Sequence, residues 1–86
     1  MKTAKCIHAL LPGFRGSASL YELDPPLEGS KYVVVSAVLV LFTGPETYIF
    51  KSDERGNVED WTELPGSFRG DTNHQEALRN AGYQII

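Results

Sequence analysis

The sequence predicts a small two-layer α+β domain, with a mainly antiparallel sheet of four to five strands and one short C-terminal helix. Three observations predict this fold class. Residues 32–42 form an apolar, largely β-branched run without polar alternation, which is typical of a central strand covered on both faces. Residues 47–51 and 58–61 are β-prone and flank a loop containing Gly-Asn, which predicts a hairpin. Residues typical of helix caps occur at both ends of the segment 72–82, which predicts one helix there.

The N-terminal part of the chain is predicted to supply a strand, a loop and a second, shorter strand. Residues 3–11 favour a first strand, which stops at the Pro12-Gly13 turn signal. Residues 13–19 are predicted to be a loop. Residues 20–23 favour a short strand that ends at Asp24-Pro25-Pro26, because proline cannot donate a ladder hydrogen bond.

The run 32–42 is long for a strand, whose usual length is about 5–6 residues. A bulge near Ser36, or an extension into a partner chain, would account for the excess. If one helix and the loops leave part of its apolar surface uncovered, another chain must cover it, so the run favours a homodimer. In the hairpin that follows, alternation places Tyr48 and Phe50 on one face and Ile49 and Lys51 on the other.

The C-terminal helix is predicted from its caps and its apolar side. Thr72 and Gln75 fit a capping box, and Gly82 fits the left-handed residue that ends a helix. A helix this short is not stable alone in water, so its apolar residues must dock on the sheet. Those residues are Ala77, Leu78 and Ala81. Residues 83–86 are predicted to form a final strand.

Composition and charge predict one globular domain over residues 1–86. The net charge is −3 and the eight basic residues are scattered, which makes nucleic acid an unfavoured partner. No apolar stretch approaches the roughly 20 residues that span a membrane. One cysteine and no signal-peptide pattern predict a cytoplasmic location.

The sequence predicts no catalytic, metal or cofactor site and favours a non-catalytic protein. One cysteine and two histidines are too few for structural zinc, and no phosphate-binding loop motif is present. An alternative hypothesis is an enzyme or a small-ligand-binding protein. It would use Cys6 and His8, two apart on one predicted strand and so on one face, with His74 near Asp71.

Two loops repeat a short sequence. The first loop, Leu11-Pro-Gly-Phe-Arg-Gly16, recurs as the second loop, Leu64-Pro-Gly-Ser-Phe-Arg-Gly70, with one inserted serine. An arginine between phenylalanine and glycine suits recognition of a carboxylate or phosphate. The residues predicted to bind a partner protein are Arg15, Arg69, Phe68, Trp61 and Arg55.

Two further expectations concern residues outside these loops. Weak nucleic-acid binding would require Arg15, Arg69 and Lys51 on one folded face. Trp61 and Tyr83 are expected in the core, although an exposed aromatic side chain would mark an interface.

Five segments of the chain carry a resemblance to known proteins. They are Tyr-Val-Val-Val-Ser-Ala-Val (32–38), Gly-Pro-Glu-Thr-Tyr-Ile-Phe (44–50), Gly-Asn-Val-Glu-Asp-Trp (56–61), Gly-Ser-Phe-Arg-Gly (66–70) and His-Gln-Glu-Ala-Leu-Arg-Asn-Ala-Gly-Tyr (74–83). Over residues 32–86 the chain resembles a group of small actinobacteriophage (mycobacteriophage-type) proteins that form a domain of unknown function. Residues 1–30 lie outside the resemblance, which implies that 1–30 is a variable N-terminal strand and loop and that 31–86 is the core. The resemblance implies a phage gene product that acts in the cytoplasm of a bacterium. It implies no catalytic residues. The leading hypothesis, which follows from the missing catalytic motifs and from the hairpin and arginine-containing loops, is a small accessory protein that binds a host or phage protein.

Overall fold

A computed structural model describes residues 1–14 and 16–86, which form one sheet with a short helix on one face. The elements are β1 (Thr3–His8), β2 (Ser17–Leu27), β3 (Ser30–Val40), β4 (Gly44–Ser52), β5 (Val58–Asp60), β6 (Phe68–Arg69), α1 (His74–Asn80) and β7 (Gln84–Ile85). The spatial order is β5-β4-β3-β2-β1-β7, and β6 also pairs with β4. All pairs are antiparallel except β1 with β7.

The α+β class with one short helix is confirmed, but the predicted number of strands is wrong. The sheet has seven strands rather than four or five. The final strand predicted over residues 83–86 is present as β7, whereas the two-residue β6 was not expected. A segment as short as β6 has no periodicity to detect, so only its pairing with β4 defines it as a strand.

The second strand is longer than predicted at both ends. Residues 17–19, expected in a loop, already pair with β3, and the strand continues through Pro25 and Pro26 to Leu27. The prolines lie inside a register shift between Glu22 and Leu27, where the β2–β3 ladder is interrupted. Because no ladder hydrogen bond is required of them there, the prolines do not end the strand.

The third strand is central, as predicted, but it has no bulge. Its register is continuous against β4 from Tyr32 to Val40, so the predicted irregularity near Ser36 is wrong. Val34 and its two neighbours are fully buried, which confirms that this half is covered on both faces. The other half differs, because the Leu39 side chain is 75% exposed. The excess length of the strand therefore lies in an end that projects beyond the core.

Successive residues along each strand point to opposite faces of the sheet, and the apolar ones form a separate cluster on each face. The main cluster lies under α1, on what we call the helix face; its members include Tyr21, Leu23, Val33, Val35, Ile49 and Leu78. A smaller cluster of Ala18, Leu20 and Val34 lies on the opposite side, which we call the groove face. Tyr48 and Phe50 share the groove face, as predicted, with ring centres 5.8 Å apart. One helix thus covers only one side of the sheet.

The helix begins one residue later than the sequence predicts. Asn73, not Thr72, is the N-cap, and its side chain accepts a hydrogen bond from the Glu76 N–H at 3.1 Å. The hydroxyl of Thr47 on β4 accepts from the Asn73 N–H at 3.0 Å and so sets this start from outside the helix. The predicted left-handed Gly82 is confirmed, with φ of 94°. Among the described residues, no helix is long and apolar enough to cross a membrane.

Candidate functional site: an aromatic groove

Trp61 lies on the surface, contrary to the expectation that it belongs to the core. Its side chain is 64% exposed. It still has a defined position, edge-on to Phe50 at 5.1 Å between ring centres and 6.2 Å from Phe14. The chain turns here because the Asp60 carboxylate accepts a hydrogen bond from the Thr62 N–H at 2.9 Å, an interaction that also lowers the pKa of Asp60. The turn presents the indole on the groove face.

A groove of about 360 Å³ runs beside this tryptophan. Strands β3 and β4 form its floor, and the first loop and Trp61 form its walls. Its main lining residues are Phe14, Val38, Val40, Tyr48, Phe50 and Trp61. A second concavity of similar volume lies on the other side of Phe14 and Trp61 and includes Arg55. An apolar, aromatic concavity of this kind is the usual form of a binding site.

Arg69 lies at the rim of the groove, and its guanidinium is already engaged. Its Cζ lies 5.7 Å from the centre of the Tyr48 ring, within the range of a cation–π interaction. Its Nε is 3.4 Å from the buried Glu46 carboxylate, and its Nη2 is 3.7 Å from that of Glu63. These contacts hold the arginine against Tyr48, so its first effect is to fix this part of the groove floor.

The other predicted partner-binding residues divide between the two faces. Arg55 is exposed beside Trp61, in a turn that the Asp53 carboxylate stabilises by accepting from the N–H groups of Arg55 and Asn57. Phe68 pairs with Thr47 and packs against the main cluster on the helix face, away from the groove. Arg15 lies outside the described residues. The structure therefore brings Trp61 and Arg69 to one surface, with Arg55 beside it.

Sequence reasoning missed five residues of this site: Phe14, Val38, Val40, Tyr48 and Phe50. The alternation in the hairpin did predict that Tyr48 and Phe50 share a face. It could not indicate that the face would stay partly open, because local periodicity does not report which side a helix covers. The valines were assigned to a covered strand for the same reason.

The cysteine and histidines of the alternative hypothesis do not form one site. A register shift between Cys6 and His8 pairs Cys6 with Tyr21 but His8 with Leu20, so the two side chains point to opposite faces and the same-face prediction is wrong. Cys6 is exposed. His74 contacts Ser17, which lies four residues along β2 from Tyr21, about 13 Å at the strand rise. The described residues contain no cluster of three metal-ligating side chains.

The contact between His74 and Ser17 is a structural tie rather than a catalytic pair. His74 Nε2 lies 3.1 Å from the Ser17 hydroxyl and 3.2 Å from the Ser17 carbonyl oxygen. Because a carbonyl only accepts, the contact with it is a hydrogen bond in the tautomer that carries the proton on Nε2. A protonated Nε2 cannot take a proton from the serine hydroxyl, as a general base would. Burial lowers the pKa of His74 and so favours this neutral form.

Two of the basic residues considered for nucleic-acid binding, Lys51 and Arg69, lie on opposite faces of the sheet. Lys51 pairs with Val33 and points to the helix face, whereas Arg69 contacts Tyr48 on the groove face. A nucleic acid bound through phosphates needs its lysine and arginine partners on one surface. These two residues do not supply one.

Comparison with protein-family models, with curated proteins and with solved structures found no match to this chain. The functional argument therefore depends on the geometry of the groove face. That face combines a fixed, exposed tryptophan, an apolar floor and charged residues at the rim.

Proposed function

We propose that this protein is a non-catalytic, cytoplasmic binding module that holds an extended segment of another protein in the aromatic groove. The observation that carries the proposal is the position of Trp61. It is the only tryptophan of the chain, it is largely exposed, and aromatic contacts with Phe50 and Phe14 nevertheless hold it in place. Tryptophan is enriched among the residues that dominate binding energy at interfaces.

The groove is suited to an apolar anchor residue. Val38, Val40 and Tyr48 give it an apolar floor, and Trp61 and Phe14 give it aromatic walls. Because these side chains are fixed by strands and by ring contacts, a ligand would not have to order them on binding, which lowers the entropic cost of association. A proline or leucine in an extended peptide has the size and shape to fill such a groove.

The charges at the rim favour a segment with basic residues next to its anchor. The exposed carboxylates of Glu59 and Asp60 immediately precede Trp61, and the protein carries a net charge of −3. Complementary charge speeds association and fixes the register of the ligand. Arg55, beside Trp61, is proposed to contact the carbonyl groups or terminal carboxylate of the segment. The resemblance to actinobacteriophage proteins implies that the partner is a phage or host-bacterial protein.

The proposal is tested by panning a phage-displayed library of random linear peptides against the full chain and against Trp61→Ala in parallel. We expect enrichment on the wild type only, of sequences with an apolar residue flanked by lysine or arginine. Binding of a synthetic enriched peptide should shift the emission of Trp61 to shorter wavelength, since the groove would exclude water from the indole. The Phe14→Ala variant should bind at least about ten-fold more weakly.

Phe42→Ala is the matched control, because Phe42 is also aromatic and is 98% exposed but does not line the groove. It should bind the peptide as the wild type does. Enrichment of the same peptides on Trp61→Ala, or a shared loss of affinity in Phe14→Ala and Phe42→Ala, would refute the groove as the binding site.

A further inference from the structure

Strand β3 extends beyond the strand that flanks it on one side. Its last pair with β2 is Ala37 with Ser17, whereas its pairing with β4 continues to Val40 with Gly44. The β2 ladder ends before Gly16, which still lies close to β3: an added Cβ there would collide with the carbonyl oxygen of Ala37 and lie 3.1 Å from the Cα of Val38. Among the described residues, β3 beyond Ala37 therefore has a strand on one side only.

Open space and exposed apolar side chains mark this end of the strand. We call residues Val38–Leu41 the hairpin edge. A concavity of about 470 Å³ is lined by these four residues and Gly16. Leu39 and Leu41 are 75% and 78% exposed. An unpaired strand that is apolar on its surface is a template for another strand.

The other sheet edges are protected by charge or by their shortness. Lys5 lies on β1 just beyond its short pairing with β7, and Glu59 and Asp60 lie on β5. The outermost strand β7 is uncharged but only two residues long. Charged side chains and very short edge strands are common means of preventing edge-to-edge pairing. No charged residue occurs from Tyr32 through Pro45, so the four-residue hairpin edge has neither protection and is the edge that an added strand would find most favourable.

We propose that the hairpin edge pairs antiparallel with the hairpin edge of a second copy of this chain, across a two-fold axis. In such a dimer the same segment of the two copies pairs, so its side chains must be complementary to their own copies. Val-Leu-Val-Leu meets this condition, because it is apolar on both faces and sets no charge against a like charge. An unrelated ligand strand would need its own complementary sequence, whereas a second copy always has one.

The geometry of this pairing has a consequence for the groove. A two-fold axis between antiparallel strands of one sheet is perpendicular to the sheet, so the groove faces of both copies lie on the same side. Val38 and Val40 belong both to the groove and to the hairpin edge, so the two grooves would lie close together. The dimer would then present two grooves to one extended or bivalent partner. This consequence, but not the pairing itself, rests on the proposed function.

The association is expected to be weak. The hairpin edge is four residues long and places few side chains at the contact, which corresponds to the interface class below about 1,200 Å². Dimerisation should therefore depend on concentration, and the measurement must cover a range of concentrations.

The test is sedimentation equilibrium of the full chain over a concentration series. We expect a reversible monomer–dimer equilibrium for the wild type and a monomer for the double variant Leu39→Lys, Leu41→Lys. Both positions are exposed, so circular dichroism should show an intact fold. Ile86→Lys is the matched control: Ile86 is 67% exposed, but it follows β7 at the opposite side of the sheet. Its dimerisation should equal that of the wild type.

A disulfide test provides a second measurement. In a Cys6→Ser background, mild oxidation should cross-link Leu39→Cys or Val40→Cys, whichever lies on the two-fold axis, much faster than Ile86→Cys. A wild type that stays monomeric at every concentration would overturn the proposal. So would a dimer that survives the lysine variant or dissociates in Trp61→Ala. The proposed function is tested separately, because the lysine variant should still bind one peptide per chain and Trp61→Ala should still dimerise.

Discussion

The two loops that repeat a sequence take different roles on the two faces of the sheet. In the first loop, Leu11 and Phe14 are half-buried against the smaller cluster on the groove face. In the second loop, Leu64 is buried and Phe68 packs against the main cluster on the helix face. Nearly the same residues therefore form a wall of an open groove in one place and part of the core in the other.

The difference comes from what lies above each loop. The helix covers the second loop closely: a Cβ at Gly66 would be 2.5 Å from the Ala77 carbonyl oxygen. The inserted Ser67 ties this loop to β4, because its hydroxyl accepts from the Ile49 N–H and donates to the Leu64 carbonyl, both at 2.8 Å. A Cβ at Gly13 of the first loop would meet nothing within 4 Å. One loop sequence can thus be core or binding surface, according to the element that packs on it.

Substitution of the loop glycines should give the largest contrast. Gly66 has φ of 105°, and Gly66→Ala combines backbone strain with a collision against the helix, for an expected loss of about 2–5 kcal/mol in the free energy of unfolding. Gly13→Ala adds strain but no collision, for a loss of about 1 kcal/mol. Urea denaturation measures both. Equal losses would show that the helix does not confine the second loop as described.

Removal of the inserted serine hydroxyl should have an intermediate effect. Ser67→Ala leaves the N–H of the buried Ile49 without its partner, and an unsatisfied buried donor costs about 1–3 kcal/mol. The Ile49 amide should also lose protection in hydrogen exchange. Ser17→Ala is the control, since its hydroxyl contacts only the half-buried His74, and it should leave Ile49 protected. Unchanged exchange in Ser67→Ala would contradict the assigned role of the serine.

The smallest expected effect concerns His74, which links the strand after the first loop to the helix over the second. Burial lowers the pKa of His74 in the folded state, so the unfolded chain takes up a proton at a higher pH than the folded one. The stability contributed by neutral His74 is therefore present above the ordinary histidine pKa and is lost as the pH falls through the lowered value. The melting temperature should fall between about pH 7.5 and about pH 5.5.

Two variants isolate this titration from that of the carboxylates. The pH-dependent fall should be smaller in His74→Gln than in the wild type, because the glutamine has no proton to take up. His8→Gln should behave as the wild type does, since His8 is exposed. An identical fall in His74→Gln would rule out the proposed titration.

Much of the fold could be predicted because its signals are local. The valine run specified the central strand, the alternation of Tyr48 with Ile49 specified two faces, and Gly82 specified the end of the helix. The strand count and the helix start could not be predicted in the same way. The strand β6 exists only through its pairing with β4, which is distant in sequence, and the hydroxyl of Thr47, 26 residues away, holds the N-cap residue.

The candidate site was predictable only in part. Trp61, Arg69 and Arg55 were identified by residue type. That Phe68 packs on the helix face, away from the groove, could not be predicted, because the repeated loop does not indicate its own orientation. The bulge between Cys6 and His8 likewise reversed a prediction from simple alternation.

By itself, the sequence determined the sheet-dominated α+β class, the central valine strand and the parity of its neighbours, because these depend on the spacing of side chains along a few residues. Only the tertiary structure decided which face became a groove and which end of β3 stayed uncovered. The physical reason is that a single seven-residue helix can bury only one side of this sheet. Packing between segments distant in sequence selects which side that is.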